Sequence, residues 1–157
     1  MGGRITHAAE QLRPDPKYGN KELARFINCI MRDGKRSVAE RVVYDALTEI
    51  EKRSKGTPPL DVFKKALDNV RPEVEVRSRR VGGANYQVPM SVNRKRQQSL
   101  AFRWIIDAAR SDKGKPMHMK LAKELMDASQ NTGKAVTTRE NTHKMADANR
   151  AFAHFAW

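Results

Sequence analysis

Three arginines occupy four positions where the chain reads RSRR (Arg77, Arg79 and Arg80), and Arg94, Lys95 and Arg96 follow as a second run. A guanidinium is always charged, presents a planar fork of donors that matches phosphate oxygens, and stacks on bases. With Arg71 included, residues 71–96 hold seven basic side chains against two acids, Glu73 and Glu75. A solvated edge strand is protected from aggregation by one or two such charges. That reading leaves RSRR followed by NRKR unexplained, and contact with nucleic acid accounts for both. Two further clusters point the same way, more weakly, because loops and helix surfaces are often basic. They are Arg32, Lys35 and Arg36 in MRDGKRS, and Lys134, Arg139, His143 and Lys144 in NTGKAVTTRENTHK.

The whole chain agrees with this local chemistry. It has 157 residues, a formal net charge of +13, 39% hydrophobic residues and 31% charged ones. That length supports one domain with a real core, and the composition is globular. So large a positive surplus repels itself unless an anionic partner neutralises it. Nucleic acid suits it better than an anionic membrane, since no basic amphipathic helix stands apart from the core. No run of about 18 apolar residues suggests a membrane span, and MGGRITHAAE lacks the apolar segment of a secretion signal. Gly2 and Thr6 fit the loose myristoylation pattern, which is too short to carry weight. Cys29 is the only cysteine; this excludes an internal disulfide, fits a reducing compartment, and reads as a small buried hydrophobe.

The elements that must position these residues follow from periodicity. Residues 1–17 read as a basic, extended tail, with Pro14 and Pro16 fixing the backbone. Asn20 caps a first helix carrying Leu23, Ala24, Ile27, Ile30 and Met31, which Gly34 ends. Ser37 and Glu40 suggest a capping box before a stripe of Val38, Ala39, Val42, Val43, Ala46, Leu47 and Ile50. SKGTPP opens a third helix with Val62, Phe63, Ala66, Leu67 and Val70, and Pro72 stops it. The period then changes from 3.6 to 2. Residues 73–90 read as a β-hairpin turning at Gly82-Gly83, with Val74, Val76, Tyr86 and Val88 assigned to one face and Arg77, Arg79 and Arg80 to the other face and tip. A fourth helix carries Leu100, Ala101, Trp104, Ile105 and Ala108, so Trp104 reads as core rather than a stacking platform. A fifth begins at Pro116 with Leu121, Ala122, Leu125 and Met126 inward. A sixth is assigned a capping box at Thr137 and Glu140, and AFAHFAW is expected to pack on the body. The expected fold is mainly α, a single domain of about six helices with a protruding hairpin between the third and fourth. Residues 18–157 form the RNA-binding domain.

NRKRQQS opens the fourth helix. Positive charge there opposes the helix dipole and costs roughly a few tenths of a kcal/mol per charge, unless a phosphate sits at the terminus. Enzymatic readings find little support. His7, His118, His143 and His154 form no zinc-ligand spacing, and no phosphate loop or nucleophile elbow is present. Glu140, His143 and Lys144 could serve a ribonuclease, but they are ordinary neighbours on one helix. No catalytic residue, metal or cofactor is expected. A basic ribbon on a helical body can also bend DNA through its minor groove, usually as a dimer. Nothing in this chain demands a dimer, and its scattered basic turns suit an irregular folded RNA.

Four blocks carry a resemblance: LARFINCIMRDGKRSVAERVVYDAL, NVRPEVEVRSRRVGGANYQVPMSV, SLAFRWIIDAAR and NTHKMADANRAFAHFAW. They resemble small-subunit ribosomal protein seven in its bacterial and organellar form, from about Pro14 to Trp157. The resemblance implies a non-enzymatic ribosomal constituent that acts in translation, in the cytoplasm or an organelle. It implies direct binding to the 3′ major domain of small-subunit ribosomal RNA, which nucleates assembly of the subunit head. It also implies that the hairpin tip (Arg79, Arg80, Val81, Gly82, Gly83, Ala84 and Asn85) faces the exit-site transfer RNA and the messenger path. Small-subunit ribosomal protein eleven and other head proteins are its implied neighbours, and no homo-oligomer is implied. Some bacterial members also repress their own messenger. Many members begin with a denser basic tail, whereas residues 1–13 here carry only Arg4 and Arg13.

Overall fold

A computed structural model describes residues 7–157; Arg4 and the Gly2/Thr6 pattern lie outside them. Helices account for most of it: α1 (Ala8–Gln11), α2 (Lys21–Ile30), α3 (Arg36–Arg53), α4 (Pro59–Val70), α5 (Arg94–Ser111), α6 (Met117–Ser129), α7 (Lys134–Ala148) and a 3-10 turn at Arg150–Phe155. The six predicted helices are α2 to α7, and the hairpin of β1 (Val74–Val81) and β2 (Ala84–Ser91) lies between α4 and α5. Two compact units divide the described chain between Tyr44 and Asp45.

The first unit is ordered from its polar groups outward. Asn20 accepts from the backbone N–H of Glu22 and Leu23 at 2.8 and 3.1 Å, the N-cap that its position predicts. Leu23, Ala24, Phe26, Ile27 and Ile30 form the buried face of α2. Within residues 7–17, α1 forms and Asp15 is buried. Asp15 accepts from the N–H of Lys17 (3.1 Å) and Tyr18 (2.8 Å), and the Tyr44 hydroxyl donates to it. Burial and then this bond to Asp15 push the Tyr44 phenol well above its usual pKa. Cys29 is exposed, not buried; at about 100° per residue it lies away from the face centred on Ile27 and Ile30. The Ser37 capping box does not form as expected. α3 begins at Arg36, so Ser37 lies inside it, and Glu40 accepts from Arg36 Nε at 2.9 Å. Val38 is 49% exposed because it stands to one side of the stripe made by Ala39, Val43, Ala46, Leu47 and Ile50.

The second unit builds its core from α4, α5, α6 and α7. α4 packs on α6, and α5 on α6 and α7. Phe63, Leu67, Val70, Ile105, Leu121 and Leu125 are fully buried; each contributes about 1.5–3 kcal/mol by leaving water. Asn69 of α4 donates to the carbonyls of Ala128 (2.9 Å) and Ser129 (3.1 Å), satisfying the C-terminal end of α6. The N-terminus of α7 is satisfied differently from the expected Thr137–Glu140 box. α7 starts four residues earlier than that box requires, Gly133 is its N-cap, and Thr137 Oγ1 donates back to the Gly133 carbonyl at 2.9 Å. The acceptor is Glu124 of α6, buried, taking the Ala135 N–H at 2.9 Å. Burial holds its carboxyl above the usual range, and the Ala135 bond offsets this only in part. Gly133 has φ +95°, and a Cβ there would lie 3.0 Å from Glu124 Oε1.

Gly82 and Gly83 both take positive φ, +58° and +86°, which is the two-residue turn that matches strand twist. The turn fixes the register: Val81 pairs with Ala84, Arg79 with Tyr86, Arg77 with Val88 and Glu75 with Met90. Paired residues share a face. Arg77 and Arg79 therefore stand beside Val88 and Tyr86, while Val74 and Val76 share the other face with Ser78, Arg80, Gln87 and Pro89. The sequence-based assignment of faces is corrected by this pairing. The inner face packs on α7 and the 3-10 turn. Tyr86 lies 5.2 Å from Phe152 and 4.9 Å from Phe155, centroid to centroid, so AFAHFAW does pack on the body.

Candidate nucleic-acid interface

The basic residues singled out by sequence fall into two kinds. In the first unit Arg32, Lys35 and Arg36 are exposed around the turn before α3. Arg36 is held in place, donating to Glu40 and, at 2.6 Å, to Asn28 Oδ1. In the second unit Arg80, Arg94, Lys95 and Lys144 are exposed and form no ion pair among the described residues. Arg94 and Lys95 join Arg71, Gln97 and Gln98 around an open cleft of about 390 Å³. Its floor is the start of α5, where Asn93 Oδ1 accepts from the Arg96 N–H at 2.9 Å and no acid occupies the first turn. The helix N-terminus and three basic side chains border this cleft, an arrangement that suits a phosphate oxygen.

The remaining arginines are engaged within the protein. Arg79 donates to the Phe155 carbonyl, and its guanidinium lies 5.0 Å from the Trp157 ring centroid. Arg139 donates to the Asn69 carbonyl, tying α7 to α4. Arg71 pairs with Asp68. Arg77 and Arg96 meet at Glu75: Arg77 Nε and Nη2 reach Oε1 at 2.8 and 2.7 Å, and Arg96 Nε and Nη2 reach Oε2 at 3.3 Å. The dipole conflict at the α5 N-terminus is thus reduced for Arg96 and left standing for Arg94 and Lys95. Lys134 donates to Ser111 at 3.0 Å and pairs with Asp112, whose carboxyl that bond holds below the usual carboxylate range. His143 Nε2 accepts from the Glu73 N–H at 3.2 Å, which fixes the foot of the hairpin.

The family model described as ribosomal protein S7p/S5e matches residues 3–150. The chain belongs to that family. The relatives named small ribosomal subunit protein uS7 are similar over nearly their whole length. That of Rhodopirellula baltica is 58% identical, with 99% of each chain covered. That of Thioalkalivibrio sulfidiphilus is 57% identical, with both chains covered completely. That of Roseobacter denitrificans is also 57% identical, over 96% of this chain and 97% of its own. The chain is a ribosomal protein of the small-subunit type, as the four blocks imply.

Three residues that shape this interface were not singled out by the sequence. Glu75 looks like a stray acid in a basic run, and only the register shows that it faces Arg77 and α5. Glu124 stands at core spacing on α6, in line with Leu121, Leu125 and Ala128, but its charge makes it read as a surface residue. Trp157 reads as part of an apolar tail, and its partner Arg79 is far away in sequence. A signal for Glu75 did exist. A two-residue turn at 82–83 places odd-numbered residues of β1 with even-numbered residues of β2.

Proposed function

We propose that this protein is a structural constituent of the ribosomal small subunit that binds the 3′ major domain of small-subunit ribosomal RNA directly and nucleates assembly of the head. The observation that carries the reading is the cationic cleft of Arg71, Arg94 and Lys95 at an acid-free helix N-terminus, on a chain of net charge +13. Family membership supports the ribosomal setting, and its relatives are structural proteins rather than enzymes. The proposed contact set is Arg32, Lys35 and Arg36; Arg71, Arg77, Arg79 and Arg80; Arg94, Lys95 and Arg96; and Lys134, Arg139, His143 and Lys144. Exposed Arg94, Lys95, Arg80 and Lys144 capture phosphates, and the arginines tied within the fold offer their remaining donors in fixed positions.

The exposed tip, Gly82 to Asn85 with Arg80, is proposed to face the exit-site transfer RNA and the messenger path, with small-subunit ribosomal protein eleven and other head proteins as neighbours. The site of action is the ribosome, in a bacterial-type cytoplasm. A competition assay at about 150 mM salt tests the reading, because non-specific phosphate binding weakens steeply with salt. The labelled target is a 3′-domain fragment of small-subunit ribosomal RNA, challenged with excess transfer RNA and duplex DNA. A complex that survives both supports shape-specific ribosomal RNA binding. Displacement by duplex DNA as readily as by unlabelled fragment reduces the charge to non-specific attraction and sinks the proposal.

A further inference from the structure

A buried acid in the middle of a basic ribbon needs a reason. Glu75 is 8% exposed and sits between two guanidiniums, one from β1 and one from α5. Two arginines side by side repel each other, and each loses about 2 kcal/mol of rotamer freedom when held still. One carboxylate between them cancels half of their charge and aligns both. Each guanidinium spends two of its five N–H donors on Glu75, through Nε and Nη2. The other donors stay available, since the Arg77 and Arg96 side chains remain 46% and 36% exposed while that of Glu75 is 11% exposed.

We infer that Glu75 is a positioning residue that joins Arg77 of the hairpin and Arg96 of α5 into one preorganised fork for backbone phosphates of a folded RNA. The inference rests on the proposed RNA-binding function and assigns that function a geometric component. A fork anchored on two different elements holds its two prongs at one separation and one angle. It therefore favours an RNA whose phosphates have the matching spacing and gives little advantage on a generic duplex.

The deciding experiment compares Glu75→Gln with the wild-type full chain. Affinity is measured for the 3′-domain fragment and for an unrelated duplex RNA in the same buffer, with helicity followed by circular dichroism. Glutamine removes the charge that holds both arginines and raises the net charge by one. The target should lose about 10-fold in affinity, while the unrelated duplex binds equally or up to about 2-fold more tightly. The target affinity falls while the duplex affinity does not, which a general loss of folding does not produce. Glu75→Asp keeps the charge but is one methylene shorter and reaches only one guanidinium. It should weaken the target in the same way at unchanged net charge. In an Arg77→Ala/Arg96→Ala background, Glu75→Gln should have no further effect on the target. Equal weakening of both RNAs, an unchanged target affinity, or the same Glu75→Gln effect without the two arginines overturns the fork. A wild-type chain with no preference for the target sinks the proposed function itself, and that outcome is distinct from all three.

Discussion

The start of α5 and the inner face of the hairpin carry similar charge and use it differently. At the α5 cleft Arg94 and Lys95 are exposed and unpaired among the described residues. On the inner face Arg77 is bound to Glu75 and Arg79 to the Phe155 carbonyl. The first region costs the fold a little, because cations at a helix N-terminus oppose the dipole. The second stabilises the fold, since each guanidinium meets a carboxylate or carbonyl. An arginine count alone does not separate these roles; the presence of an acceptor within reach does.

That difference can be broken by substitution. The largest stability effect is expected from Arg139→Ala, the tied arginine that joins α7 to the end of α4. Loss of a charged hydrogen bond to a partly buried carbonyl should cost about 2 kcal/mol or more, read as a lower urea midpoint at an unchanged slope. The Arg94→Ala/Lys95→Ala pair should do the reverse. Its unfolding midpoint should match wild type or rise slightly, as the dipole conflict is relieved, while affinity for the 3′-domain fragment falls by roughly 10- to 50-fold and the log–log salt slope loses between about 1 and 2 units. A lower midpoint in that pair would place these residues among the tied ones. Arg80→Ala, at the exposed tip, should leave stability unchanged and weaken RNA binding by about 3-fold, in keeping with a single phosphate contact.

The smallest effect concerns an acid. Glu124 is held above the usual carboxyl range in the folded chain, chiefly by burial. A raised folded-state pKa means that stability is fullest below the unfolded value, near 4.5, and is lost as pH rises through the folded one. Glu124→Gln keeps an oxygen for the Ala135 N–H and never ionises. Thermal melts should show the variant gaining on wild type as pH increases from about 4.5 toward neutrality. A constant difference across that range would mean that Glu124 ionises without penalty.

Much of this architecture is legible from sequence because the signals are local. Asn20, Pro58-Pro59, Pro72 and Gly82-Gly83 each act on their own backbone, and the six long helices and the hairpin follow from them. The misreadings have physical causes too. Ser37 and Thr137 match the capping-box pattern, but α3 and α7 start before them; in α7, Glu124 of another helix supplies the acceptor. Val38 and Cys29 lie beside apolar stripes without belonging to them, as about 100° per residue dictates. The basic residues were recognisable as a set. Their division into exposed and engaged depends on partners such as Asn69 and Phe155, which lie 70 and 76 residues from Arg139 and Arg79, and on a strand register that brings Glu75 to Arg96.

The two-glycine turn also constrains how this ribbon can change in length. One extra residue in a single strand would shift the pairing by one and carry every side chain beyond it to the opposite face. Arg79 would leave Tyr86 and the Phe155 carbonyl, or Glu75 would leave Arg96, depending on where the insertion fell. One extra residue in each strand, placed opposite each other near the tip, avoids this and simply lengthens the ribbon by about 3.4 Å. Variation in reach should therefore come in matched pairs, and the base of the hairpin acts as a fixed socket for arms of different length.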